Sequence, residues 1–197
     1  MTHFSSADEE NREYTCRQFD IFMEFCSRLE KKCIEIPIKH VSNSSAVLRY
    51  PEMNLDMVRP GLAIYGLYSS PELSNRGTSL KPAMALKARV IDVNTVEKNE
   101  YLSYGRSFRA NRKSFIATVS AGYADGYSRL LSNKGNVCMD HFMVDITDME
   151  GNVSIGDEVL MFGRKKDLEI SADEIADILG TISYEVIGRL GMRVPKV

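Results

Sequence analysis

Arg59-Pro60-Gly61-Leu62 combines residue types that can hold an anion. Gly61 has no side chain to keep a ligand away, its N–H and that of Leu62 can face an acceptor, and Arg59 sets a permanent cation two residues upstream. The same residues also suit a plain turn, with the glycine serving the bend and Arg59 lying on the surface. Ser44, inside the polar run Val41-Ser42-Asn43-Ser44-Ser45, offers its hydroxyl either to a phosphate or to its own loop. Farther along, Ala121-Gly122-Tyr123-Ala124-Asp125-Gly126-Tyr127 brackets a tyrosine and an aspartate between glycines. Such a turn can present the Tyr123 phenol for acid or base work, or simply pack the ring at a strand end. A phenol titrates near pH 10, so one acting as a base at neutral pH needs cationic or hydrogen-bonding neighbours. His3 is a lone histidine, a type that is usually structural.

The elements around these residues change character along the chain. From Thr15 the pattern is helical: Thr15 and Gln18 have capping-box spacing, and Phe19, Phe22, Cys26, Leu29 and Cys33 form an apolar stripe expected to pack on a sheet. Ile34, Ile36 and Ile38 alternate as a strand ending at His40, and the uncharged run Leu62 to Tyr65 reads as a short strand buried on both faces. Helix, strand and polar loop in this order are α/β organisation, with two to three βα units before Gly66. In such folds ligands sit at the carboxyl ends of strands, which is where His3, Ser42, Asn43, Ser44, Arg59 and Gly61 fall.

Past Gly66 a loop rich in serine, proline and glycine opens a mostly β region, so domains 1–70 and 71–197 are expected. Met84 to Val96 is a long strand whose alternation changes face near Val90-Ile91, the mark of a bulge or barrel corner. Further strands are expected at 115–119, 137–146, 158–162 and 182–187, with turns at Gly156-Asp157 and Gly163. One helix interrupts them, with a Ser171–Glu174 capping box, Ile175, Ile178 and Leu179 on the apolar face, and Gly180 as its stop.

Composition narrows the function classes. With 44% hydrophobic and 26% charged residues the 197-residue chain is of ordinary globular type, and a net charge of −2 gives no electrostatic footprint for nucleic acid. No apolar run reaches the length of a membrane span, and the first residues lack the basic and apolar regions of a signal peptide, so a cytoplasmic protein is expected. His3 to Glu9 reads like the interior of a domain rather than a leader. Cys16, Cys26, Cys33 and Cys138 form no CxxC pair and lie at no metal spacing from a histidine, so neither zinc nor disulfides are expected.

Taken together, seven motifs resemble the alanine racemase family in the family's order. They are Thr2-His3-Phe4; His40 to Ser44 as HxxNS; Val58-Arg59-Pro60-Gly61 with Tyr65-Gly66; Ser103-Tyr104-Gly105; Gly122 to Tyr127 as GYADGY; Val137-Cys138-Met139-Asp140; and Arg193-Val194-Pro195. The resemblance implies a pyridoxal 5'-phosphate (PLP) enzyme that interconverts L- and D-alanine in a homodimer with shared sites, supplying D-alanine for the cell wall. It implies the end of a TIM-type (β/α)8 barrel followed by a β-rich C-terminal domain. Ser44, the backbone of Gly61 and Leu62, and the Tyr184 hydroxyl would hold the cofactor phosphate. Arg59 would face the pyridine nitrogen, and because it stays protonated it would oppose a second positive charge on that ring. Tyr123 would be one of two bases, reaching the neighbouring subunit's substrate and linked through His3 to Arg59. The backbone at Met139 would receive the substrate carboxylate.

Two departures from the family pattern are visible. None of the chain's lysines lies in the motif that carries the cofactor in the family, so the chain is expected to be inactive alone. A hairpin of about fifteen residues normally precedes the VCMD motif, whereas here Gly135-Asn136 runs straight into Val137. Within the family, serine or a broader substrate is an alternative to alanine, and a PLP-binding or dimerisation fragment without chemistry is an alternative to an enzyme.

Overall fold

The computed structural model describes residues 1–74, 78–133, 137–149 and 152–197. The direct run from Gly135-Asn136 into the VCMD motif therefore lies largely outside the described residues. The chain divides into two compact units, Met1–Ala83 and Met84–Val197.

In the first unit, helix α1 (Glu13–Glu30) lays Cys16, Phe19 and Phe22 against a core of Phe4, Ala7, Val41, Ala46, Tyr50 and Met53. Of the stripe predicted from sequence, Phe19 and Phe22 pack on loops and on helix α2 (Ser44–Arg49) rather than on a sheet and Cys26 is buried, whereas Cys33 lies beyond the helix and is exposed. The expected Thr15–Gln18 capping box does not form. The helix begins two residues earlier, at Glu13, with Arg12 in the N-cap position, and Thr15 is buried inside it. Gln18 is thereby freed to reach backward, donating to the His3 carbonyl at 2.7 Å and to Thr2 Oγ1 at 3.2 Å. Arg49 ties the same N-terminal segment down from the other side, donating to the carbonyls of Asp8 and Glu10 at 3.1 Å each and to that of Glu9.

Neither strand expected in this unit is present. Residues 34–40 form no ladder, since no described segment of the unit pairs with them, and Ile34 and Ile38 are exposed. A strand is defined by its partner, so alternation alone cannot create one. Leu62–Tyr65 is a 3-10 turn with Leu62 buried and Ile64 66% exposed. Gly66 closes that turn at φ 76°, and a Cβ there would lie 1.8 Å from the Lys81 carbonyl oxygen, so only glycine fits. The short helix α3 (Pro71–Ser74) completes the unit.

The second unit is built on one antiparallel sheet. Strands β1 (Leu86–Val96), β4 (Ser114–Val119), β5 (Phe142–Asp145), β6 (Glu158–Lys165) and β7 (Leu168–Ile170) lie in the order β5-β4-β1-β6-β7, and β2 (Tyr101–Leu102) pairs with β3 (Phe108–Arg109) as a separate hairpin. The predicted bulge is found: Val90 opposes Val119 and Asp92 opposes Thr118, leaving Ile91 as the extra residue. Burial passes from Leu86 and Val90 to Val93 and Val96, while Ile91 itself faces out.

Helix α4 (Ala172–Leu179) has the predicted reciprocal cap, with Ser171 Oγ accepting from the Glu174 N–H at 3.0 Å and Glu174 accepting from the Ser171 N–H at 2.7 Å. Gly180 ends it at φ 65°. Its buried face is Ala172, Ile175 and Ala176, not Ile178, which is exposed. Two strand expectations and one turn are revised. Only 142–145 of the 137–146 stretch is a strand, joined by a single bridge from Val137 to Phe142. Gly163 lies within β6, opposite Ile170, where a Cβ would collide with Ala85 at 2.6 Å. Residues 182–187 belong to helix α5 (Ser183–Gly188), because Ser183 and Val186 turn inward three residues apart while Arg189 reaches back to Glu185 at 3.0 Å. Among the described residues no helix is long and apolar enough to cross a membrane.

Candidate functional site

In the first unit the structure gathers His3, Ser44, Arg59, Gly61 and Leu62 at neighbouring positions. Arg59 is held from several directions. Its backbone N–H donates to the Ser42 carbonyl at 2.9 Å, and its guanidinium donates to the carbonyls of Thr2 at 2.9 Å and Val41 at 3.4 Å. It also donates to His3 Nδ1 at 3.2 Å and to His40 Nδ1. Both imidazoles therefore accept at Nδ1, and for His40 that leaves the proton on Nε2. Loss of solvation, reinforced by the Arg59 charge, pushes the His40 pKa below its ordinary value and keeps the ring neutral. His3 and Arg59 are thus in direct contact. The sequence marks His40 only as a strand end and the first residue of HxxNS; its four-residue spacing from Ser44, the first residue of α2, is the signal available for it.

The loop that carries these groups is fixed by Asn43. Its side chain accepts from the Ala46 N–H at 3.0 Å, capping α2, and donates to the Phe4 carbonyl at 3.1 Å, drawing the His3 segment onto the loop. Ser42 Oγ, fully buried, donates to the Met53 carbonyl at 3.1 Å. Ser44 Oγ accepts from the Gly61 N–H at 2.8 Å and the Ala63 N–H at 3.3 Å, so hydroxyl and backbone donors already converge. A Cβ on Gly61 would meet nothing within 4 Å, so the chain is open on that side of Gly61. With its oxygen accepting from Gly61 and Ala63, Ser44 still has its O–H to donate, which suits a phosphate group, and the fixed Arg59 guanidinium suits an acceptor nitrogen. The residues present therefore fit PLP.

In the second unit the structure brings Tyr123 and Met139 together. The Tyr123 N–H donates to the Cys138 carbonyl at 3.1 Å and the Ala124 N–H to the Met139 carbonyl at 3.0 Å, so the two turns are laced backbone to backbone. Gly122 makes this possible, since a Cβ there would sit 2.3 Å from the Met139 oxygen. Tyr123 is 44% exposed on the 3-10 turn Tyr123–Asp125, and Met139 is exposed beside it. Tyr184 stands in the first turn of α5, also exposed. Tyr104, of the Ser103-Tyr104-Gly105 motif, is 86% exposed. It is flanked by positive φ values at Ser103 (66°), Gly105 (67°) and Arg106 (55°). A positive φ at a residue other than glycine, as at Ser103 and Arg106, is costly, and such strain collects at functional sites.

A helical segment in which a fixed arginine lies near Ser44 and Gly61 is followed along the chain by a β-rich unit. Residues 83–197 match the model described as alanine racemase, C-terminal domain, and residues 1–69 match that described as alanine racemase, N-terminal domain. The chain belongs to the alanine racemase family. It is 46% identical over 210 aligned residues to an alanine racemase of Clostridium kluyveri and 42% over 208 to one of Methanococcus maripaludis, covering all of this chain and 54% and 56% of those proteins. Among solved structures, the Clostridium difficile 630 alanine racemase in complex with cycloserine superimposes with a TM-score of 0.91 at 38% identity, over 98% of this chain and 54% of that one. The Bacillus anthracis alanine racemase with bound L-Ala-P gives 0.91 at 35% identity, over 99% and 53%. The fold is that of the alanine racemases, part of the N-terminal domain followed by the β-rich C-terminal domain. The chain spans about half the length of the curated relatives it matches.

Proposed function

We propose that this chain is the C-terminal portion of a PLP-dependent alanine racemase that acts as a cytoplasmic homodimer on L- and D-alanine. The observation that carries the reading is Arg59, gripped by His3 and His40, beside the converging donors of Ser44 and Gly61. Bound PLP would supply electron withdrawal from the substrate's Cα–H bond. Ser44, Gly61 and Leu62, with Tyr184, would hold its phosphate, and Arg59 would place a permanent cation at the ring nitrogen and disfavour a second one there. The backbone at Met139 would receive the substrate carboxylate. The lysine serving the opposite face of Cα, and carrying the cofactor, belongs to the remaining half of the barrel, so the chain alone is inactive in this reading.

Two tyrosines of the second unit compete for the other face. Tyr123 is the one that resemblance assigns, and its turn adjoins Met139. A second reading gives the role to Tyr104, because its near-complete exposure on a backbone of positive φ values suits a phenol that reaches into a neighbouring subunit.

The test uses this chain co-folded with the N-terminal half of the Clostridium kluyveri relative, in the presence of PLP. Interconversion of the alanine enantiomers is expected; its absence from a folded, PLP-loaded complex would refute the function. In deuterated water, Tyr123→Phe and Tyr104→Phe are then compared. Loss of the base lowers racemisation in both directions by about 10²- to 10⁴-fold, since an equilibrium constant of one ties the two directions together. Exchange at Cα of D-alanine, which needs only the lysine, survives. A collapse in Tyr123→Phe alone assigns Tyr123, and a collapse in Tyr104→Phe alone assigns Tyr104.

A further inference from the structure

The Arg193-Val194-Pro195 motif has no part in the function proposed above. We propose that Arg193 is a positioning residue that locks the Tyr123 turn against the Met139 turn and so fixes where the substrate carboxylate is received; the substrate half of this inference rests on the proposed role of Met139. Arg193 Nε lies 3.2 Å from Asp125 Oδ1, and its terminal nitrogen donates to Asp140 Oδ1 at 2.8 Å. One guanidinium thus joins the carboxylate inside the GYADGY turn to the carboxylate that follows Met139.

Asp125 is the inner partner, 13% exposed, and its second oxygen accepts the Gly122 N–H at 2.9 Å. Its backbone is engaged on both sides as well, because the Asp125 N–H donates to the Gly122 carbonyl at 3.1 Å and the Gly191 N–H donates to the Asp125 carbonyl at 3.3 Å. The C-terminal segment is packed closely enough that a Cβ on Gly126 would strike the Arg189 oxygen at 2.5 Å. Three stretches, 122–126, 138–140 and 189–193, therefore share one junction, and Arg193 is the side chain bonded to acids in two of them. An arginine suits this work because its planar fork can serve two carboxylates at fixed angles, whereas lysine offers a single point charge. An isolated exposed pair would contribute little, but here the ion pairs act on turns whose backbones are already interlocked.

Hydrogen exchange of the full chain tests the clamp without reference to activity. In Arg193→Ala the amides of Tyr123 and Ala124, which donate to the Cys138 and Met139 carbonyls, should exchange about five- to tenfold faster, with β1 and β4 amides unchanged. Arg193→Lys should recover part of the protection. Unchanged exchange at Tyr123 and Ala124 overturns the proposal. If Arg193→Ala unfolds the whole unit, Asp140→Asn, which removes one arm of the clamp, should give the same local acceleration, and its failure to do so overturns the proposal equally. In the co-folded enzyme Arg193→Ala should raise KM for alanine several-fold more than it lowers kcat, because a displaced carboxylate contact weakens substrate binding. A loss of kcat at unchanged KM would mark a merely structural residue and overturn the substrate half. A wild-type enzyme without racemase activity would instead strike the proposed function and leave the exchange result standing.

Discussion

The Arg59 guanidinium is shared by two imidazoles, and that arrangement has a consequence in pH. His40 is held neutral with its pKa below the ordinary value of 6.5, so the unfolded chain takes up a proton that the folded chain resists. The sign follows: stability is complete above 6.5 and declines as the pH falls through it. The urea midpoint of the chain should drop between about pH 7.5 and about pH 5.5, and His40→Gln should flatten part of that drop. An equal drop in the variant would show that His40 does not carry it. Ser44 belongs to the same scale. Its hydroxyl is the acceptor for Gly61 and Ala63, so Ser44→Ala removes one member of the proposed phosphate cradle and should weaken PLP binding by the co-folded enzyme about tenfold, read by fluorescence titration.

Single residues were the most legible part of the site. His3, Ser44, Arg59 and Gly61 converge within the first unit, and Tyr123 and Met139 within the second. His40 was harder to see, because what distinguishes it is a contact with Arg59 across 19 residues rather than any local pattern. Arg193 is the same kind of case at longer range, 53 residues from Asp140.

Elements were legible where their stabilisation is local. The Ser171–Glu174 cap and the Gly180 stop are each fixed by a few neighbouring residues and are readable, and the Ile91 bulge is readable because the change of face shows within the one strand. The cap gives a measurable expectation: Ser171→Ala should lower stability by about 1 kcal/mol, seen as a lower denaturation midpoint, and an unchanged midpoint would mean the cap is energetically idle. Elements defined by distant partners were not readable. The isoleucines at 34, 36 and 38 alternate as a strand should, but no described segment of their unit offers a ladder. The β-branched run at 182–187 resembles a strand, yet burial of Ser183 and Val186 and packing against α4 make it a helix. Gly66 links the two kinds of case, since its loop position was plain while the reason for glycine, the Lys81 carbonyl, lies fifteen residues on. Gly66→Ala should cost well over ~1 kcal/mol in the first unit, and a neutral result in thermal unfolding would contradict the close approach described here.

At the scale of the molecule, the chain holds two units of the alanine racemase fold and spans 54% of the length of its Clostridium kluyveri relative. In the proposed function its own residues would supply a phosphate cradle, a cation for the ring nitrogen, a carboxylate contact and a phenol, while the lysine of the opposite face has no counterpart in the motifs present. The central claim is that this inventory is half of a racemase and needs the other half. The most direct test measures racemisation of L-alanine by the purified, folded chain saturated with PLP, alone and after co-folding with the N-terminal half of that relative. The account predicts no turnover above the PLP-only background for the chain alone and clear turnover for the pair. Robust racemisation by the chain alone, or none by a folded and PLP-loaded pair, would contradict it.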